Sequence, residues 1–321
     1  HKDGANTLRG VFVYDFDASA LLQVAGAGFD LQAVAPDGSR ILVNRGPELF
    51  SARPDGSDML KLADDFYYFG WPQAGAAWLV DGSALVYVAN RAGETGIYAA
   101  GPDGSNPRRL TGPGALPIAL LPSGDAARVY WQSGVCRAVG DCARQAAWST
   151  ALDGKLEREW PGMLSPEFSA GGDWIAYTTL NPKDQTVLSL TTRARTRVWS
   201  PLPEGYAVDY AWSPSGRWLA ALLVERNDYS GKPSGPRVFL LNTADYQGTE
   251  LSAANVLGGR AAWSPKGNAL LVAGTEVVAG GYRLNLRLLT IPGGQVKQVV
   301  DGKIGGVSAD FPLFTRLEWI P

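Results

Sequence analysis

The chain predicts an all-β protein, a single β-propeller of four-stranded blades. Three observations lead there. A turn motif recurs at near-constant spacing, a second hairpin motif recurs between its copies, and no stretch longer than about ten residues carries a 3.6-residue apolar period. The first motif is aromatic-Ser-Pro-x-Gly followed by a short apolar run, as in WSPSGRWLAAL (Trp212–Leu222) and WSPKGNALLV (Trp263–Val272). Looser copies read VAPDGSRILV, WLVDGSALVYV, LLPSGDAARVYW and FSAGGDWIAY. The turn glycines are Gly38, Gly82, Gly124, Gly172, Gly216 and Gly267, separated by 44, 42, 48, 44 and 51 residues.

Each element of a blade follows from these motifs. Strand A ends at the aromatic position, and the Ser-Pro-x-Gly turn leads into strand B, an apolar run. A variable connection leads to strand C. An Asp-Gly turn then leads to strand D, because Asp-Gly between alternating runs is a strong hairpin signal. LFSARPDGSDMLKLA and IYAAGPDGSNPRRLT are near-copies of this C–D unit, and WSTALDGKLEREW is a looser one. Four short strands per 40–50 residues is the periodicity of a propeller.

Six units are complete. GVFVYDFDASALLQV near the start reads as strands C and D, and LFTRLEWIP at the end reads as strand A. Together, residues of about 8–24 and 314–321 would form a composite seventh blade, so that residues 1–321 make one domain. Closure of that kind removes exposed sheet edges. Six blades is the alternative.

The paired motifs resemble the TolB-type repeat, a relative of the WD-type blade, over about residues 30 to 321. The resemblance implies an extracytoplasmic scaffold that assembles envelope or surface complexes. It also pulls the blade count toward six.

Composition narrows the function. Of 321 residues, 45% are hydrophobic and 19% charged, which excludes a disordered chain. A net charge of −2 argues against a nucleic-acid binder. No apolar run is long enough to span a membrane as a helix. The single histidine is His1, so no internal histidine serves a Ser-His-Asp or Cys-His mechanism or a His-bearing zinc site. No G-x-S-x-G nucleophile elbow occurs. No cofactor and no metal site is expected; the Asp-Gly turns lack the spaced carboxylates of a calcium loop.

Cys136 and Cys142 stand six apart among turn residues. They read as a local disulfide in an oxidising compartment, the alternative being two free thiols.

Binding residues are sought on the loops, which vary more than the turns. The longest B–C connections are Ser133–Ala147, Glu225–Arg237 and Gly274–Asn285. The D–A connection DDFYYFGWP holds Phe66, Tyr67, Tyr68, Phe69 and Trp71. Tyr67, Tyr68, Phe69 and Trp71 are candidate contacts for a partner or a sugar, and inter-blade packing is the alternative. Three residues before the aromatic position, Asp209, Arg260 and Arg316 fall in neighbouring blades, with Glu318 beside the last one. They suit a carboxylate-bearing ligand or peptide terminus, or else a self-satisfied ion pair.

The reading is therefore a monomeric, non-enzymatic propeller that engages a protein or peptide on its variable-loop face. A carbohydrate-binding propeller is one alternative. The other is a glycan-cleaving enzyme using carboxylates such as Asp209, Glu318, Asp30 or Asp310.

Overall fold

A computed structural model describes residues 10–18, 20–68, 74–121, 126–138, 141–161, 163–169, 172–180, 186–192, 198–199, 206–224, 237–251, 257–278, 281–291, 295–304 and 320. In several strand stretches, 136–145 and 275–284 among them, the description is of the backbone alone. Among the described residues there is no helix; all regular structure is strand. The chain divides into two compact units, at about 9–172 and 173–319.

The first unit opens with an antiparallel pair, β1 (Val11–Asp15) and β2 (Ala20–Ala25). Three four-stranded antiparallel sheets follow. The first is β3 (Asp30–Val34), β4 (Ile41–Arg45), β5 (Glu48–Ala52) and β6 (Leu60–Ala63). The second is β7 (Ala76–Trp78), β8 (Leu85–Arg91), β9 (Glu94–Ala100) and β10 (Arg108–Arg109). The third is β11 (Pro117–Leu121), β12 (Arg128–Ala138), β13 (Asp141–Ala151) and β14 (Leu156–Pro161). Strand β15 (Leu164–Phe168) ends the unit.

The second unit begins with the run β16 (Trp174–Leu180), β17 (Thr186–Thr192) and β18 (Val198–Trp199). It continues with the sheet β19 (Tyr206–Trp212), β20 (Trp218–Val224), β21 (Arg237–Asn242) and β22 (Gln247–Glu250). The last sheet is β23 (Leu257–Trp263), β24 (Ala269–Val278), β25 (Gly281–Thr290) and β26 (Val296–Ile304). Every sheet is a meander in sequence order, the arrangement the repeats predict.

The turn glycines earn their place by backbone geometry. Gly38, Gly82, Gly172, Gly216 and Gly267 all lie at φ of 67–71°, a region where a side chain is strained. Each donates its N–H to the carbonyl three residues back, at 2.7–2.9 Å. In the two full Ser-Pro copies the serine hydroxyl accepts the next strand's first N–H, at 3.0 Å from Trp218 and 3.0 Å from Ala269. Gly124 lies outside the described residues.

The Asp-Gly turns carry a second constraint. A Cβ on Gly56 would meet the Val24 carbonyl oxygen at 2.5 Å, one on Gly104 the Leu62 oxygen at 3.0 Å, and one on Gly154 the Leu110 oxygen at 3.2 Å. Each C–D turn thus abuts the outer backbone of the sheet before it. The β1–β2 pair stands to the first sheet as β6 stands to the second.

Strand B is buried on both faces, which explains why these strands are continuous apolar runs and do not alternate. Leu42 packs forward with Ala76, Leu85 and Tyr87, while Ile41 and Val43 pack back against Val11 and Val24. In the second unit Leu219 and Ala221 face one cluster, Ala220 and Leu222 the other. Complete burial of such a leucine contributes about 1.5–3 kcal/mol. Tyr130, Trp160 and Phe168 close the core beside β15, with Tyr130 and Phe168 ring centres 4.1 Å apart.

Two of the three long B–C connections are not loops. In β12–β13 the ladder runs from Arg128↔Ala151 to Ala138↔Asp141, and in β24–β25 from Ala269↔Thr290 to Val278↔Gly281. These hairpins outgrow the inner strands beside them: β11 pairs only as far as Ser133, and β23 only as far as Thr275. The third connection, 225–236, lies outside the described residues.

Candidate functional site

The inner strands carry a recurrent irregularity. The A–B register slips between Leu31 and Ala33, Pro117 and Ala119, Ala207 and Asp209, and Leu257 and Arg260. A bulge re-aims side chains, and at three of the four slips a polar residue stands there, Gln32, Asp209 or Arg260. In the second unit Asp209 and Arg260 meet: Oδ1 and Nη1 are 3.5 Å apart, with the arginine side chain buried and the aspartate mostly so. The other carboxylate oxygen accepts the Ala261 N–H at 2.8 Å. One side chain therefore links β19 to β23 by a charge pair and a backbone hydrogen bond. Removing one partner of a buried pair costs about 3–5 kcal/mol, because the other is left uncompensated.

The first unit solves the same problem without charge. Gln32, fully buried on β3, accepts the Gly75 N–H at 2.8 Å and donates to Asn44 Oδ1 at 2.7 Å. The repeat spacing missed it. Gln32 stands two residues before the aromatic position, and the bulge supplies the missing step. Arg316 and Glu318 lie outside the described residues, as does Asp310. Desolvation raises the pKa of Asp30, at the head of β3, from its ordinary value.

The aromatic D–A connection of the first unit is partly a strand. Phe66 bridges to Ala89, Tyr67 donates its N–H to the Val88 carbonyl at 2.9 Å, and Asn90 donates to Asp65 at 3.0 Å. The segment continues along β8 where β7 stops. Alternation then sends Phe66 and Tyr68 into one apolar cluster and Tyr67 into the next. Phe66 is 3% exposed and stacks on Tyr68 with centroids 6.0 Å apart; Tyr67 and Tyr68 are half-buried. Burial raises the Tyr67 phenol above its usual value. Phe69 and Trp71 lie outside the described residues.

A cluster the sequence did not flag sits beside this segment. Arg91, at the end of β8, pairs with Asp65, lies 4.0 Å over the Tyr98 ring and donates to the Tyr87 hydroxyl at 3.1 Å. Burial, followed by the Asp65 charge, raises the Tyr87 phenol. Asp65 adjoins the aromatic run in sequence, but nothing marked Arg91 as its partner.

Cys136 and Cys142 are directly opposite in the β12–β13 register. No disulfide is formed among the described residues, and these two side chains lie outside them. No group of three His, Cys, Asp or Glu residues positioned to hold a metal occurs among the described residues. Among those same residues, no helix is long and apolar enough to cross a membrane.

The sequence matches no protein-family model and no curated protein sequence. Solved structures are similar in fold. TolB from Acinetobacter baumannii superimposes with a TM-score of 0.53 at 16% identity, over 86% of this chain and 64% of that one. A protein described as a TolB from Agrobacterium tumefaciens gives 0.51 at 15%, over 91% and 90%. An oligogalacturonate lyase in complex with manganese gives 0.66 at 13%, over 92% and 86%. The chain spans just under two thirds of the Acinetobacter protein's length. With four-stranded meander sheets, Ser-Pro-x-Gly turns and these likenesses together, the chain has the fold of a TolB-like β-propeller.

Proposed function

We propose that the protein is a non-enzymatic, extracytoplasmic propeller that binds a protein or peptide partner at the ends of its sheets opposite the stereotyped turns. The observation that carries this is the pair of outgrown hairpins. β12–β13 and β24–β25 extend past their inner strands, one in each unit, while the Gly turns at the other ends are uniform. Among the described residues, no inner strand pairs with the ends of β12 and β24, and such ladder groups suit a partner's chain. Asp209 and Arg260, with Arg316 and Glu318, are the proposed polar contacts. Tyr67 and Tyr68, with Phe69 and Trp71, are the proposed aromatic ones. The fold likeness to TolB supports the same reading. The opposed register of Cys136 and Cys142 suits a cross-strand disulfide, which would brace the first hairpin outside the cytoplasm. The same reading takes β1–β2 as the outer half of a blade completed by residues 314–321.

Selection of displayed random peptides on the intact protein tests this. Recovered peptides are expected to lose at least tenfold in affinity when residues 135–143 are replaced by Asn-Gly, and to lose affinity in Tyr68→Ala. Recovery of no peptide above background, or binding indifferent to both changes, contradicts the proposal. A second reading, glycan cleavage, draws on the lyase likeness and on the raised pKa of Asp30. Release of new reducing ends from acidic or neutral polysaccharides, abolished by Asp30→Asn, would replace the binding reading with this one.

A further inference from the structure

A cleft of about 300 Å³ opens in the first unit between segment 110–115 and the face of β12–β13. It shares no residue with the contacts proposed above. Its floor is an aromatic pair: Trp131 and Trp148 stack 5.8 Å apart at 15°. Its wall is nearly free of side chains, running Gly112-Pro113-Gly114-Ala115. None of the lining residues is charged.

The polar groups in the cleft are few, and their use is uneven. Both indole N–H groups are spent internally, Trp131 on Thr150 Oγ1 at 2.9 Å and Trp148 on Ser133 Oγ at 3.1 Å. The Ser133 hydroxyl is saturated, since it also accepts from Ala146 N at 3.2 Å and donates to Ala146 O at 3.1 Å. Two hydroxyls are different. Thr150, 1% exposed, and Thr111, 6% exposed, each accept one bond, from Trp131 and from the Ile97 N–H. Among the described residues neither donates. A buried hydroxyl that only accepts has an unspent donor, and two of them border an apolar, uncharged space.

The chain is strained just after the wall. Leu116 sits at φ of 49°, where a non-glycine residue is uncommon, and it is 43% exposed. Its carbonyl is tied to the Gly134 N–H at 3.0 Å, so the strain is held by the sheet.

We infer that this cleft binds a proline-bearing extended segment of a partner peptide. An occupant must be uncharged, offer a flat apolar face to Trp148, and bring acceptors to two donors. A polyproline II segment meets all three conditions: its rings are apolar and its carbonyls are unpaired within the chain. Docking on aromatic-lined grooves is how such segments are read. A sugar ring fits less well, because its many hydroxyls would meet only two spare side-chain donors among the described residues. The volume is at the small end of ligand pockets, about 300–1,000 Å³, and suits one ring with backbone on either side.

Calorimetric titration with a ten-residue polyproline peptide tests the inference, with a Gly-Ser peptide of the same length and cellohexaose as the other arms. The polyproline peptide is expected to bind with Kd below about 1 mM, as an isolated weak site would. Gly112→Leu should raise that Kd at least tenfold. A Cβ at Gly112 meets nothing within 4 Å, so the side chain extends into open space without displacing the fold. Trp148→Leu is the second variant, with the same expected loss, and circular dichroism verifies that both are folded. No heat with polyproline, equal binding of the Gly-Ser peptide, or affinity unchanged in both folded variants overturns the inference. So does binding of cellohexaose in its place. Failure of the hairpin replacement to affect selected peptides leaves this result untouched, because none of the residues removed lines the cleft.

Discussion

Two connections in the first unit join the outer strand of one sheet to the inner strand of the next, and they use their residues in opposite ways. Segment 64–68 is rich in aromatic rings and fills its own space. Phe66 is buried against the backbone at Gly75, where an added Cβ would lie 2.7 Å from the phenyl ring. Segment 110–116 is rich in glycine and proline and leaves a cleft beside two tryptophans. Aromatic density therefore marks the packed connection, and poverty of side chains marks the open one. The half-buried Tyr67 and Tyr68 are anchored by that packing, so any partner meets them as fixed edges.

The largest expected effect lies in the packed connection. Phe66→Ala should lower stability by about 3–5 kcal/mol, read from the shift of the denaturant midpoint. A loss below about 1 kcal/mol would mean that the segment is not a structural plug. Next come two glycines that look alike in sequence. Gly75→Ala should cost about 1–3 kcal/mol through overpacking against Phe66 and Tyr68. Gly112→Ala should be neutral or gain up to about 1 kcal/mol, since the space is open and the unfolded chain loses freedom. Equal effects at the two sites would erase the contrast.

Leu116→Asn should stabilise by about 0.5–1 kcal/mol, because asparagine tolerates the left-handed region; thermal unfolding reads the gain. The smallest effect concerns pH, and belongs to the turns within the sheets that the two connections join. Asp37, Asp55, Asp81 and Asp103 accept hydrogen bonds from the serine two residues on, and each has its pKa lowered below 3.8. A depressed folded pKa means that the contribution is complete above about 3.8 and is lost as pH falls through the lower folded values. Ser57→Ala should therefore narrow the stability gap to wild type as the pH drops below that point.

The repeats made the blades legible because turn chemistry is local. A glycine at φ near 70° and an Asx turn need only their neighbours in sequence, so Gly38, Gly82, Gly216 and Gly267 could be placed from spacing. What spacing cannot register is a bulge. It hid Gln32, which does in one unit what Asp209 does in the other. Hairpin length was also hidden: Ser133–Ala147 and Gly274–Asn285 look like loops because their residues lack strict alternation, yet cross-strand pairing carries through them. Trp131 and Trp148 lie in apolar runs and stack in the core. The cleft beside them arises from missing side chains on a distant segment, and an absence of atoms leaves no residue to count.

Indole N–H resonances offer the most direct test of the contrast between the two connections. The chain has 11 tryptophans, and their signals can be followed together in a heteronuclear NMR spectrum while polyproline is added, with Trp148→Phe, Trp131→Phe and Trp78→Phe fixing three assignments. The account predicts that the Trp148 and Trp131 signals move and saturate together while that of Trp78, which packs on the same apolar cluster as Phe66 and Tyr68, stays still. Movement of Trp78 with Trp148 and Trp131 unchanged would place the open site at the aromatic connection and contradict it.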